Sequence, residues 1–70
     1  MERIGVSSSN VRSVGYDVES AILQVEFCSG WLYDYYDVPA EVALELVNAD
    51  SVGRYHASYI KGRYRFRRRR

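Results

Sequence analysis

Apolar and polar residues alternate along residues 21–27 and again along residues 31–37, the pattern typical of β-strands with one buried face. In the first segment Leu23, Val25 and Phe27 are separated by single polar residues. The second segment alternates in the same way and follows after only three residues. The pattern predicts two antiparallel strands joined by a tight turn.

The length of that turn decides which side chains face each other. A two-residue loop would place the Asp34 carboxylate opposite Val25, where an unpaired buried charge is costly. A three-residue loop, residues 28–30, instead pairs Val25 with Tyr33 and puts Gly30 where such loops need a left-handed backbone. We therefore expect the second register. It places on one face Leu23, Val25, Phe27, Trp31, Tyr33 and Tyr35.

A further strand is predicted before this hairpin, at residues 11–16, and two helices after it. Pro39 suits the start of a first helix that should end near Asn48. Ser51 is suited to cap a second helix and Gly62 to end it. We predict an α+β fold, a three-stranded antiparallel β-meander packed against two C-terminal helices (β-β-β-α-α). The expected core consists of Val14, Tyr16, Leu23, Val25, Phe27, Tyr33, Tyr35, Val42, Leu46, Val47, Tyr55 and Ile60.

Composition narrows the class of protein. Seventy residues make one domain with a thin stability margin. One cysteine excludes an internal disulfide, and one cysteine with one histidine cannot form a tetrahedral zinc site. No apolar run approaches the about 20 residues of a membrane span, and the N-terminus lacks the apolar core of a signal peptide. We expect a cytoplasmic protein with no metal, no cofactor and no contact with a membrane.

Charge is unevenly distributed along the chain. Residues 1–60 hold three arginines and nine acidic residues, a net charge of −6, whereas residues 61–70 hold six arginines and one lysine, a net charge of +7. The asymmetry indicates an acidic body followed by a basic end. We expect residues 1–64 to form the domain and residues 65–70 to form a basic, flexible C-terminal tail.

Several short motifs resemble a known family. In chain order they are Ser-Ser-Asn (8–10), Val-Gly-Tyr-Asp (14–17), Leu-x-Val-x-Phe (23–27), Gly30, Tyr-x-Tyr (33–35), Val-Pro (38–39), Ser-x-Gly-x-Tyr (51–55), Ile60 and Tyr64. Their order and spacing are similar to the KTSC domain, which is named for its occurrence at the C-terminus of some lysyl-tRNA synthetases. The family also includes free-standing small bacterial and phage proteins. The resemblance spans about residues 8–64, nearly the whole chain.

The resemblance implies little about activity. The function of the family is not established, and RNA binding has been suggested because of the attachment to synthetases. The second-helix signature usually continues with Phe-Asn, where this chain has His56 and Ala57. The arginines beyond Tyr64 lie outside the family pattern.

The basic end is the strongest candidate site. Arginine and lysine neutralise phosphates and give salt-dependent binding, and aromatic rings between them can stack on bases. Two alternatives stay open: a solvated, disordered end, or a segment that folds back onto the acidic body or onto a second copy. The candidate nucleic-acid-binding residues are Lys61, Arg63, Tyr64, Arg65, Arg67, Arg68, Arg69 and Arg70.

The tyrosines of the hairpin form a second candidate. Tyr33 and Tyr35 can serve as a stacking platform for bases, or they can be core rings with their hydroxyls at the rim. The register favours the core. Arg54 is a further possible binding residue.

No constellation of residues indicates catalysis. His56 lacks an evident nucleophile and orienting group, so we expect a partly buried aromatic residue on a helix face. The carboxylates of Glu26, Asp34 and Asp37 are expected to be solvated on the polar face of the sheet. We predict a small non-catalytic binding module, not an enzyme, that engages RNA, tRNA-like in kind, through its basic end. The alternative is a protein-interaction or homodimerising adaptor of bacterial or phage origin.

Overall fold

The computed structural model describes residues 2–69, and its five strands form one antiparallel sheet in which strands that follow each other in the chain are neighbours. Helical segments lie between the fourth and fifth strands in the chain. The strands are β1 (Arg3–Gly5), β2 (Val11–Asp17), β3 (Ile22–Phe27), β4 (Leu32–Tyr35) and β5 (Phe66–Arg69). The helices are α1 (Ala40–Val47) and α2 (Val52–Tyr55), and α2 continues into a π-helical turn (His56–Ile60).

The predicted three-stranded meander with two C-terminal helices is wrong. The sheet has an additional strand at each edge, and β5 follows the helices in the chain. β1 is three residues long and all three are exposed, so it lacks the alternation of buried apolar and exposed polar residues by which a strand is predicted. β5 reads Phe-Arg-Arg-Arg, and charged residues are common on edge strands because they discourage pairing with other chains. The pairing of residues 66–69 with β4 defines this strand.

The predicted register of the hairpin is confirmed. Val25 pairs with Tyr33, and the amide of Phe27 donates to the carbonyl of Trp31 at 2.9 Å. Gly30 has a φ of 99°, the left-handed conformation that the three-residue loop requires. The apolar face of the hairpin therefore points toward the helices, and Asp34 lies on the opposite face.

The predicted helix boundaries are close to those observed. α1 begins at Ala40, directly after Pro39. The Ser51 hydroxyl accepts a hydrogen bond from the amide of Arg54 at 3.2 Å, so it caps α2 as expected. Gly62 follows the π-helical turn with a φ of 80°. Across residues 2–69, no helix is long and apolar enough to cross a membrane.

The core lies between the sheet and the helices, and every residue predicted for it is either buried there or packed against it. Seven of them are buried: Val14, Leu23, Val25, Phe27, Tyr35, Leu46 and Ile60. The other five pack against these while partly exposed: Tyr16, Tyr33, Val42, Val47 and Tyr55. The structure adds buried apolar residues that were not in the expected core: Val11, Val38, Ala43 and Val52.

Candidate nucleic-acid interface

β5 divides its side chains between the two faces of the sheet. In the antiparallel pairing, Phe66 lies opposite Tyr35 and Arg68 lies opposite Tyr33. Since opposed residues share a face, Phe66 and Arg68 project from the helix side of the sheet. Arg67, between them, projects from the other side. The arginines of β5 therefore lie on both faces of the sheet, although they are adjacent in the sequence.

Aromatic rings and a cation meet on the helix side. The Tyr33 ring stacks on Phe66, with 5.3 Å between ring centroids, and on Tyr35, with 5.9 Å. The guanidinium of Arg68 lies 4.5 Å from the centroid of the Trp31 ring, a cation–π distance. Phe66 is 51% exposed, so this surface presents an accessible ring next to a positive charge.

Tyr35 and Tyr33 occupy different depths. Tyr35 is a core residue with 2% of its surface exposed, and its hydroxyl shares a 2.7 Å hydrogen bond with Nε2 of His56. Tyr33 is half-buried and reaches the surface. Of the two platform candidates, Tyr33 is therefore the more accessible.

Burial keeps Tyr35 and His56 uncharged. It raises the pKa of the Tyr35 hydroxyl, with a smaller contribution from Tyr33. It also lowers the pKa of His56, with a smaller contribution from the positive charge of Lys61. The His56 ring additionally packs edge-on against Phe27, with 5.0 Å between ring centroids. These contacts make His56 a structural residue of the core.

A pocket of about 240 Å³ opens beside these rings. Tyr33, Tyr35 and His56 form part of its wall, and Lys61 lies at the end of the π-helical turn that borders it. Trp31 and Asn10 also line it. The pocket therefore combines aromatic walls with a cation and an amide.

The opposite face of the sheet carries a chain of polar contacts. Nε of Arg69 donates to Oδ2 of Asp34 at 3.0 Å, and Nε2 of Gln24 donates to Oδ1 of the same carboxylate at 2.9 Å. Arg3 in turn donates to Gln24 at 2.7 Å. Asp34 is only 9% exposed, so the expectation of a solvated carboxylate is wrong for this residue. Arg69 and Asp34 instead link β5 to β4.

The remaining predicted residues are spread around the basic end. Arg65 forms an ion pair with Asp37 at 3.7 Å and lies 5.2 Å over the Tyr36 ring. Tyr64 is half-buried against the core. Arg54 is exposed on α2. Arg70 lies outside the described residues.

Ion pairs occupy only some of the cations. Within residues 2–69, the ion pairs at 4.0 Å or less involve Arg3, Arg65 and Arg69. Six exposed cations have no carboxylate partner at that distance in the described chain: Arg12, Arg54, Lys61, Arg63, Arg67 and Arg68. Four of these six belong to the basic end. The same part of the chain contains no group of three or more His, Cys, Asp or Glu residues that could hold a metal ion.

Comparison with known proteins identifies the family. The model of the KTSC domain family matches residues 7–64. This chain belongs to the KTSC domain family. The resemblance inferred from its motifs is therefore confirmed, and what is established is a small domain whose function is unknown.

Relatives of this KTSC domain occur both alone and inside larger proteins. An uncharacterized protein of Stutzerimonas stutzeri is 51% identical over 61 residues, covering 87% of this chain and 86% of that protein. A lysine–tRNA ligase of Nostoc punctiforme is 36% identical over 58 residues, covering 83% of this chain but 10% of the ligase. A KTSC domain protein from Yersinia pestis has a crystal structure with a TM-score of 0.92 and 34% identity, covering 99% of this chain and 97% of that one.

Two rings of this KTSC surface, Trp31 and Phe66, were absent from the candidate site residues. The hairpin register already put Trp31 on the face of Tyr33, and Phe66 was expected only as a ring that stacks on bases between the cations of the tail. The alternation of residues 63–67, Arg-Tyr-Arg-Phe-Arg, has the period of a strand and was the available signal for β5. The face of the sheet on which the rings of this segment lie depends on how β5 pairs with β4. The spacing of its residues does not specify that pairing.

A larger, apolar groove lies at the other end of the domain. It has a volume of about 470 Å³ and runs between β1 and α1. Ile4 and Leu44 line it, and they are 63% and 62% exposed. The groove carries no basic residue among its lining side chains, so it is chemically distinct from the pocket beside Tyr33.

Proposed function

We propose that this KTSC domain is a non-catalytic module that binds RNA through one surface, the aromatic–basic face, formed by Trp31, Tyr33, Lys61, Phe66 and Arg68. The observation that carries the proposal is the placement of Phe66 and Arg68 beside Tyr33 by the pairing of β5 with β4. A ring that stacks on bases and a cation that contacts phosphates are the two elements of sequence-tolerant single-strand binding.

The charge distribution supports the same face. Arg65 and Arg69 are engaged by the carboxylates of Asp37 and Asp34. Lys61 and Arg68 have no such partner among the described residues, and both lie at or near the pocket. The basic end thus partly neutralises the acidic body, and two of its unpaired cations, Lys61 and Arg68, lie beside the aromatic rings.

The names of the relatives indicate which RNA to test first. Lysine–tRNA ligases contain a segment homologous to this domain, and their name states that they act with tRNA. We therefore choose tRNA and a single-stranded RNA as the first probes. A catalytic role has no comparable support, because His56 is hydrogen-bonded to the buried Tyr35 hydroxyl and not to the side chain of a typical nucleophile.

Adjacent arginines on β5 provide a matched test. Arg68→Gln and Arg67→Gln remove the same charge from the same strand, but only Arg68 projects from the aromatic–basic face. Fluorescence anisotropy with labelled RNA should show weaker binding by Arg68→Gln than by Arg67→Gln. The slope of log Kd against log salt concentration should fall by about 0.7 for each phosphate contact that is lost.

Three results would count against the proposal. Equal losses in the two variants would show that binding depends on overall charge and not on this face. No binding by the unmodified chain at low salt would remove RNA as the ligand. Binding of a protein partner with little dependence on salt would favour the adaptor alternative. Truncation before β5 is a weaker test, because it removes a whole strand from the sheet.

A further inference from the structure

We infer that the pocket beside Trp31 and Tyr33 receives one unpaired base of a single-stranded RNA, an inference that rests on the function proposed above. The pocket opens on the aromatic–basic face, and its mouth is bordered by side chains of different chemistry. Its ligand class follows from its size, its walls and the charge at its rim.

The size favours a single ring system. At about 240 Å³ the pocket is smaller than the about 300–1,000 Å³ typical of sites for drug-sized molecules. It therefore suits a fragment the size of one base, with the sugar and phosphate remaining outside. A base in a duplex is paired and is stacked on both sides, so it would have to leave the helix to enter the pocket. This unpairing and unstacking costs free energy, whereas an unpaired base can enter without that cost.

The walls favour a flat, aromatic ligand with polar edges. Tyr33 and Trp31 belong to the pocket lining, so a flat ligand in the pocket would contact aromatic side chains. Asn10 and Ser29 place an amide and a hydroxyl on the same lining, groups that can hydrogen-bond the edge of a base. A purely apolar side chain would leave these groups without a partner, so the pocket is better matched to a heterocycle.

The charge at the rim favours an attached phosphate. Lys61 lines the pocket, and the guanidinium of Arg68 lies over the Trp31 ring that forms part of the wall. A base seated between them would bring its flanking phosphates toward two cations. The ligand is thus a nucleotide within a strand, with its base inside the pocket and its backbone along Lys61 and Arg68.

The single tryptophan makes the occupancy of the pocket measurable. Trp31 is the only tryptophan in the chain, so its fluorescence reports on this site alone. We would titrate the full chain with a short single-stranded RNA and with the same strand annealed to its complement, and would follow both Trp31 fluorescence and anisotropy of the labelled RNA. The single strand should bind more tightly and change the Trp31 emission.

A blocking variant tests the pocket without removing a charge. Ala57 is exposed and lines the pocket, so Ala57→Leu places a larger side chain inside it. Ser58→Leu adds the same side chain at the next exposed position, which does not line the pocket. Ala57→Leu should weaken single-strand binding between about fivefold and 150-fold, the loss expected for one stacked base, whereas Ser58→Leu should bind as the unmodified chain does.

Each outcome separates the pocket from the wider proposal. Unchanged binding and emission in Ala57→Leu, with Arg68→Gln still impaired, would overturn the pocket and leave the aromatic–basic face as a general RNA surface. Equal affinity for single strand and duplex would do the same. No binding of either RNA by the unmodified chain would overturn both. If circular dichroism shows that Ala57→Leu is unfolded, Tyr33→Leu removes one ring of the wall, and unimpaired binding by that variant would equally overturn the pocket.

Discussion

Removing the Tyr35 hydroxyl should destabilise the domain, because it leaves a buried polar atom of His56 without its partner. Tyr35 is 2% exposed and His56 is 6% exposed, and the 2.7 Å bond between them lies inside the core. In Tyr35→Phe the Nε2 atom of His56 stays buried and loses its partner. In His56→Phe the Tyr35 hydroxyl likewise stays buried and loses its hydrogen-bond partner.

The magnitude follows from this burial. A buried polar group left without a partner costs about 1–3 kcal/mol, whereas replacing both partners with apolar groups of similar shape can be nearly neutral. Each single variant should therefore lose about 1–3 kcal/mol of unfolding free energy. The double variant Tyr35→Phe/His56→Phe should lose clearly less than the sum of the two, so that the double-mutant cycle gives a favourable coupling energy.

Urea unfolding followed by circular dichroism is the assay, with thermal melts as a second measurement. For a domain of this size, each 1 kcal/mol should shift Tm by about 4–8 °C. Tyr59→Phe is the matched control, because it removes a tyrosine hydroxyl at a position that is 54% exposed, and it should leave stability nearly unchanged.

Additivity would refute the reasoning. If the losses in the two single variants sum to the loss in the double variant, the two groups do not depend on each other for burial. A Tyr35→Phe variant as stable as the unmodified chain would likewise show that His56 finds another partner or reaches water.

Three further predictions concern stability. The pKa of His56 is lower in the folded chain, so the unfolded chain binds a proton on this imidazole more readily. The free energy of unfolding should therefore decrease as the pH falls through about 6.5. Urea titrations at several pH values should show that this pH dependence is lost in His56→Phe. Ala21 has a φ of 58°, so Ala21→Gly should raise the unfolding free energy by about 0.5–1 kcal/mol in a urea titration. Phe27→Ala should cost about 3–5 kcal/mol and leave the chain largely unfolded by circular dichroism.

Each of these has a control or a contrary result. A pH dependence that persists unchanged in His56→Phe would place the titrating group elsewhere. Ala40→Gly, in the first turn of α1, should lower stability where Ala21→Gly raises it, because Ala40 is helical. A cooperative melt of Phe27→Ala near that of the unmodified chain would contradict the position of Phe27 in the core.

Much of the fold follows from local sequence. The alternation of residues 21–27, the position of Gly30 and the cost of burying Asp34 in the core were enough to predict the register of the hairpin, because a one-residue shift would exchange its faces. Pro39 and Ser51 similarly marked the starts of the helices, since caps act within one turn. The motifs that identify the KTSC family are of this local kind.

The outer strands and the site depended on tertiary structure. β5 pairs with residues more than thirty positions earlier, and nothing in its own run of arginines specifies that partner. The pairing decides that Arg68 faces the rings and Arg69 faces Asp34, so two residues of the same chemistry acquire different roles. Sequence identified the cations as candidates; the sheet selected among them, because the environment of a charge is determined by non-local neighbours that residue spacing does not encode.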